Sequence, residues 1–238
     1  MNDHKEVRMK LLIITPIVSS TFSGMTKAAL ESRFRFQAEL DFVTLETGPD
    51  CIEGFADEVW AGPGVLDIIR EKESLYDGFF INCFGDVAVD AARELTVKPV
   101  LGAGEASYFL ASMLGVPFSI ITIGSNARNK NGYHFRGLGS CRFVSTVGIE
   151  EGVLALNDDL SVTAKHITDA ARKEMEDRGT EAIVLGCTGM IDVATMIRDA
   201  LHCPVIEPSS AGIAMLESMV RLGISHAQGG KYTPVTTE

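Results

Sequence analysis

The chain has 238 residues, 46% of them hydrophobic and 22% charged, and its formal net charge at pH 7 is −11. This length can bury one large core or two smaller ones, and the composition is ordinary for a globular protein in water. The acidic balance argues against a nucleic-acid-binding surface, which needs clustered Lys and Arg, and against binding to anionic membranes. No stretch reaches the roughly 18 uncharged apolar residues of a membrane span.

The predicted elements alternate between strand and helix from the N-terminus onward. Lys10–Thr15 is an aliphatic and β-branched run after its first residue, which is typical of a strand buried on both faces. A Ser/Thr-rich loop over 16–24 should lead into a helix over 25–36, and a second strand is predicted over 38–44. Residues 51–64 are predicted as a loop with some helical character. This alternation predicts an α/β fold with mainly parallel sheets.

Two strand ends about a hundred residues apart share one design. Residues 77–86 and 181–190 each contain an apolar run that ends in a cysteine, then a small or polar turn, then a helical pattern. The cysteines are Cys83 and Cys187, and the offset between matching points of the two halves stays near 104 to 107 residues. A solenoid would repeat every 20–50 residues or so, so the offset predicts duplication of one α/β unit.

The paired cysteines predict a catalytic site. Ligands of parallel sheets bind beyond the carboxyl ends of the strands, where Cys83 and Cys187 both lie. We expect the turns Phe84-Gly85 and Thr188-Gly189 to offer backbone N–H groups to substrate oxygens, and a following helix N-terminus to lower the thiol pKa. A thiolate and a thiol on opposite faces of one carbon form a two-base racemase. A single strand-end cysteine is more often a packing residue, but two at equivalent positions favour catalysis.

Other chemistry-bearing residues have plainer interpretations. Cys51, Cys141 and Cys203 have no equivalent in the other half and are predicted to be packing residues. Glu105 and Glu207 follow equivalent strands, where they either orient the site or cap the next helix. Asp86 and Asp192 are predicted to supply negative charge at the starts of helices. His134 is either an ordinary loop residue or part of the cavity mouth. The last eight or so residues are expected to fray.

The turn Cys83-Phe84-Gly85-Asp86, the segment Gly104-Glu105-Ala106 and residues 185–190 (Leu-Gly-Cys-Thr-Gly-Met) resemble the aspartate/glutamate racemase superfamily, and within it the hydantoin and allantoin racemase branch. The resemblance covers nearly the whole chain. It implies a cofactor-independent racemase with two pseudo-symmetric lobes, each a mainly parallel sheet flanked by helices, and a cleft between them. It also implies a homo-oligomer. Lobe 1 is expected to comprise 1–100 plus 208–238, and lobe 2 to comprise 101–207.

One loop departs from this branch. Members usually carry an Ile-Asn-Pro-Asn type loop after the first strand, whereas this chain has Ile14-Thr15-Pro16-Ile17. Because that loop normally touches the substrate, Thr15 and Pro16 are expected to bind substrate together with the two cysteine turns. Thr15 or Ser19 either replaces the missing amide or belongs to a loop that only forms a turn.

The expected function is therefore racemisation of a 5-substituted hydantoin or allantoin by Cys83 and Cys187. The sequence has no dinucleotide-binding or Walker motif and no metal-ligand spacing, so no cofactor or metal is predicted. The expected ligand is a small molecule, a cyclic ureide or a small acid, and five cysteines without a pairing pattern suit the cytoplasm. Two alternatives stay open: an amino-acid racemase or maleate-type cis–trans isomerase on the same scaffold, and an intracellular ligand-binding module without catalysis.

Overall fold

The computed structural model describes residues 9–124 and 142–233. The predictions for His134 and Cys141 lie outside these residues. Two four-stranded sheets make up the centre of the described part, and every strand pair in them is parallel. The first sheet has the order β2-β1-β3-β4 and the second β6-β5-β7-β8, so the two halves repeat one topology. The predicted α/β fold with two duplicated lobes is confirmed. The strands are β1 (Lys10–Thr15), β2 (Glu39–Thr44), β3 (Gly78–Ile81), β4 (Val100–Gly102), β5 (Phe118–Ile123), β6 (Phe143–Ile149), β7 (Ala182–Leu185) and β8 (Val205–Ile206).

Helices cover both faces of each sheet. They are α1 (Ser20–Arg33), α2 (Phe55–Lys72), α3 (Val89–Leu95), α4 (Ala103–Met113), α5 (Leu160–Arg178), α6 (Ala194–Leu201) and α7 (Pro208–Leu222). Single 3₁₀ turns occur at Glu73–Leu75, Val153–Ala155 and Thr188–Met190. Within the described ranges, no helix combines the length and the apolar character needed to cross a membrane.

The continuous hydrophobicity of the central strands follows from this two-sided cover. On one face of the first sheet, Leu11 and Ile13 pack with Leu216 of α7. On the other face, Leu12 and Ile14 belong to the core that α2 closes. Odd- and even-numbered residues of β1 are therefore both buried, on opposite faces of the sheet. This is the reason that the strand shows no alternation of polar and apolar residues.

Two helices pack across the boundary between the halves. Tyr108 and Ala111 of α4 pack on Phe118 and Val184 of the second sheet. In return, α7 packs on the first sheet so closely that a Cβ on Gly212 would lie 2.2 Å from a ring carbon of Phe80. We therefore propose the division of the chain into 1–100 plus 208–238 and 101–207 as the two lobes.

The predicted starts of two helices near the cleft were wrong. Helix α1 begins at Ser20, within the predicted loop, and ends at Arg33. Residues 55–64 are helical because α2 continues through Pro63. A proline inside a helix removes a hydrogen bond, but Ala61, Val65 and Ile69 are fully buried on one face of α2, and this burial outweighs the loss.

The expected fraying of the C-terminus was also wrong as far as Thr233. The Lys231 ammonium and the Tyr232 hydroxyl both donate to the Asp90 carboxylate at 2.8 Å. Arg93 donates to the Tyr232 oxygen at 3.2 Å, and the guanidinium lies over the Tyr232 ring. This segment is therefore bound against α3 of the first lobe.

Candidate active site

A cavity of about 320 Å³ lies between the two sheets, at the carboxyl ends of their strands. Its volume is in the range of small-molecule sites. All eight residues for which the sequence predicted a site role line it: Thr15, Pro16, Cys83, Phe84, Gly85, Cys187, Thr188 and Gly189. The duplicated topology brings them together, because β1 and β3 end at the cavity from one side and β5 and β7 from the other.

The first cysteine turn is anchored by Asp86. Its two carboxylate oxygens accept hydrogen bonds from the backbone N–H groups of Gly104 and Glu105, each at 2.8 Å, at the start of α4. Asp86 has φ +53°, in the left-handed region that a non-glycine residue rarely adopts. Gly102 leaves the space for this carboxylate, since a Cβ there would lie 2.1 Å from Oδ1. Asp86 therefore caps α4 rather than α3, the helix that follows it in the chain.

The second cysteine turn depends on a close approach between β7 and β5. A Cβ on Gly186 would lie 2.5 Å from Cβ and 2.9 Å from Cα of Thr122, so this position requires glycine. The Thr122 hydroxyl donates to the Gly186 carbonyl at 2.9 Å. After Cys187 the chain makes one 3₁₀ turn, and the Gly189 N–H donates back to the Cys187 sulfur at 3.4 Å. The Gly189 N–H, which we expected to face substrate, is thus directed to the thiol.

The expected lowering of the thiol pKa was wrong for Cys187. Burial raises the pKa of Cys187 to about 11, the Gly189 N–H opposes this rise, and the charges of Glu53 and Glu207 add to it. No regular helix begins beside either cysteine, because α3 starts at Val89 and α6 at Ala194. Without a helix N-terminus at hand, desolvation of the thiolate dominates.

Asn82 links the two cysteine turns, and the sequence interpretation missed it. Its side chain is almost completely buried, donating to the Thr15 hydroxyl at 3.3 Å and accepting from the Ser209 hydroxyl at 2.9 Å. The backbone carbonyl of Asn82 accepts a hydrogen bond from the Thr188 hydroxyl across the cleft at 3.3 Å. Thr15 therefore serves at least as a structural partner of Asn82. The sequence did carry a signal for this role, because Asn82 is a polar residue directly after the apolar strand β3.

Three further lining residues were missed or misjudged. Phe22 of α1 lines the cavity, and a Cβ added to Gly189 would lie 3.6 Å from its ring. Phe22 was missed because the start of this helix was predicted too late in the chain. Glu53 and Cys51 line the cavity from the loop before α2. Cys51 was predicted to be a packing residue only. Burial, and then the neighbouring carboxylates led by Glu53, raise the pKa of its thiol.

Glu105 and Glu207 prove to be capping residues, one of the two roles left open for them. The Glu207 carboxylate accepts from the backbone N–H groups of Ser209 and Ser210 at 2.8 Å, at the start of α7. Burial raises the pKa of Glu207, and these hydrogen bonds oppose the rise. Glu105 accepts from the Gly102 N–H at 3.2 Å and pairs with Arg93.

The chain is similar to known racemases over nearly its whole length. A family model described as Asp/Glu/Hydantoin racemase matches residues 11–216. A hydantoin racemase from Paenarthrobacter aurescens is 31% identical over 231 residues, which cover 96% of this chain and 98% of that protein. A hydantoin racemase from Pseudomonas sp. (strain NS671) is 32% identical over 217 residues, which cover 90% of this chain and 87% of that protein.

The solved structures agree with this result. An allantoin racemase from Klebsiella pneumoniae is 32% identical, with a TM-score of 0.89, covering 97% of this chain and 95% of that one. The extent of the family match and the identity to these relatives confirm the resemblance that the cysteine turns indicated. The chain belongs to the Asp/Glu/hydantoin racemase family and is an isomerase of that family.

Proposed function

We propose that this protein is a cofactor-independent racemase of a 5-substituted hydantoin or of allantoin. The observation that carries the proposal is that Cys83 and Cys187, from equivalent strand ends of two lobes, line one cavity. Relatives that cover almost the whole chain are a hydantoin racemase and an allantoin racemase, which supports this substrate class. The cavity volume of about 320 Å³ suits a substituted five-membered ring.

In the proposed reaction the two thiols exchange roles across the ring plane. Cys83, as thiolate, removes the proton from C5, and the electron pair of the C–H bond moves into the adjacent carbonyl to give an enolate. Cys187 then gives its thiol proton to the opposite face of C5 and becomes a thiolate. The raised pKa of Cys187 favours its thiol form as the initial proton donor. Reversal of the protonation states serves the other enantiomer.

Hydrogen bonds to the ring oxygens complete the proposed site. Backbone N–H groups of Phe84, Gly85 and Thr188 are proposed to stabilise the enolate as its charge develops. Gly189 would contribute differently, because its N–H donates to the Cys187 sulfur and stabilises the thiolate that forms there. We further propose that Thr15 and Pro16 contact the ring from the end of β1, since both line the cavity.

Serine variants of the two cysteines test the mechanism. Cys83→Ser and Cys187→Ser should each abolish racemisation, measured by the decay of optical rotation of a single enantiomer. One of them should still exchange deuterium from the solvent into one enantiomer, because a single base remains. Cys203→Ser is the matched control, since Cys203 packs on the core of the second lobe and does not line the cavity. Full activity in either cavity variant would refute the two-base mechanism.

A substrate panel in deuterium oxide tests the reaction itself. Hydantoins and allantoin should incorporate deuterium at the stereocentre, whereas aspartate, glutamate and maleate should remain unchanged. Exchange into an amino acid, or isomerisation of maleate, would replace the proposed function with another reaction on the same scaffold. Binding of a hydantoin with no exchange would instead indicate a ligand-binding protein.

A further inference from the structure

The Glu53 backbone is held in the wall of the cavity. Glu53 lies in the loop that leads from the first sheet into α2, and it lines the cavity. The backbone N–H groups of Glu53 and Gly54 both donate to Asp57 Oδ2, at 3.0 and 2.8 Å. Asp57 thus fixes the direction in which the Glu53 side chain leaves the loop.

The Glu53 carboxylate reaches across the cleft. Its Oε1 accepts a hydrogen bond from the Val153 N–H of the second lobe at 3.0 Å. Gly152 beside it leaves the space, because a Cβ there would lie 3.0 Å from the same oxygen. The carboxylate is therefore held from both lobes, at a fixed place in the cavity wall.

The described cavity wall is acidic. Glu53 lines it from the first lobe and Glu150 from the second, and the lining residues within 9–124 and 142–233 include no Lys, Arg or His. The field of Glu53 also extends to the catalytic centre that we propose, because it adds to the effect of burial in raising the pKa of Cys187. An anionic group of a ligand in this cavity would be repelled, whereas an N–H group could donate to a carboxylate oxygen.

We propose that Glu53 is a specificity-determining residue, which excludes ligands with a carboxylate and selects neutral ligands rich in N–H groups. The proposal rests on the hydantoin racemase function and deepens it, since it concerns which substituent at C5 the site accepts. A ureido or amide substituent donates N–H groups toward the carboxylate, whereas an acidic substituent brings a second negative charge near the first. The same repulsion acts against amino-acid and dicarboxylate substrates.

A matched pair of substrates tests this proposal. Hydantoin-5-acetate and hydantoin-5-acetamide have nearly the same shape and differ by one charge. We expect the wild-type protein to turn over the amide about tenfold better in kcat/KM, the size of one partly screened charge contact. Glu53→Gln keeps an oxygen acceptor for the Val153 N–H but removes the charge, so it should reduce this preference to about twofold or less. Glu71→Gln, on the exposed side of α2, removes the same charge away from the cavity and should leave the preference unchanged.

The outcomes separate the specificity proposal from the proposed function. A wild-type protein without preference, or a Glu53→Gln variant with the wild-type preference, would overturn the role of Glu53 and leave the racemase function intact. If the wild-type protein turns over neither these two hydantoins nor any other hydantoin or allantoin of the substrate panel, the proposed function fails. Calorimetric binding of the same two compounds then decides the role of Glu53 alone: tighter binding of the amide, lost in Glu53→Gln, supports it, and equal binding refutes it.

Discussion

Replacement of Asp86 by alanine tests whether the anchor of the first cysteine turn controls activity. Asp86 accepts two backbone hydrogen bonds at 2.8 Å from the start of α4. Hydrogen bonds to a charged group each contribute about 1.5 kcal/mol or more, and loss of a helix cap costs roughly 1 kcal/mol. Asp86 also raises the pKa of Glu105, after the larger effect of burial, so its removal relieves some repulsion. We expect Asp86→Ala to lower the free energy of unfolding by about 2 kcal/mol.

The effect on activity should exceed the effect on stability. Without the anchor, the turn that carries Cys83 loses its fixed position, and a displacement of about 1 Å at a reacting group can cost roughly a hundredfold in rate. Under conditions in which the variant is fully folded, kcat for hydantoin racemisation should fall by about 10- to 100-fold. Asp86→Asn keeps one acceptor and tolerates the left-handed backbone, so about half of the stability loss should remain.

Urea denaturation followed by circular dichroism gives the free energies of unfolding, and optical rotation gives kcat. Asp67→Ala is the matched control, because Asp67 makes an exposed ion pair with Arg70 on α2 that should contribute less than about 0.5 kcal/mol. If Asp86→Ala unfolds within about 0.5 kcal/mol of the wild-type protein and retains its kcat, the anchoring role of Asp86 is refuted.

Three further predictions follow from the second cysteine turn. With its pKa raised to about 11, Cys187 should react with iodoacetamide at pH 8 about 100-fold more slowly than a free thiol, measured by peptide mass spectrometry; the rate of an ordinary thiol would contradict the burial effect. Because the folded-state pKa is raised, the stabilising effect of this thiol is fully present below pH 9 and is lost as the pH rises through about 11. Gly186→Ala should destabilise the protein by about 3 kcal/mol in thermal or urea unfolding, since its Cβ would overlap Thr122, including the backbone. Gly24→Ala in α1, whose Cβ would meet nothing within 4 Å, should be neutral or stabilise by up to about 1 kcal/mol, and an equal loss in both variants would refute the steric argument.

The two cysteine turns show why part of the site could be predicted from local sequence. Strand ends in parallel sheets face a common edge, and duplication places two such edges opposite each other, so Cys83 and Cys187 could be assigned to one cavity from their equivalent positions. The expectation that Thr15 and Pro16 contact substrate followed from the resemblance to a family. The assignment of the two cysteines depends on periodicity and topology, which the local sequence pattern already specifies.

Contacts between distant segments were beyond the same reasoning. Glu53 and Val153 are 100 residues apart in sequence, and only the folded cleft makes them hydrogen-bond partners. The C-terminal residue Tyr232 binds Asp90 for the same reason. Residues 51–64 were predicted as a loop with some helical character, whereas burial of one face of α2 against the sheet makes the chain helical from Phe55 onward.

The sequence by itself determined the α/β fold, the duplication and the pair of cysteine turns, because hydrophobic periodicity and repeated motifs are local properties. Only the tertiary structure decided the chemical state of the site. The pKa of Cys187 depends on how much solvent the surrounding residues exclude and on which charges lie near it, and Glu53 and Glu207 reach it from separate parts of the chain. Desolvation and charge act through space, so the order of residues along the chain does not encode them directly.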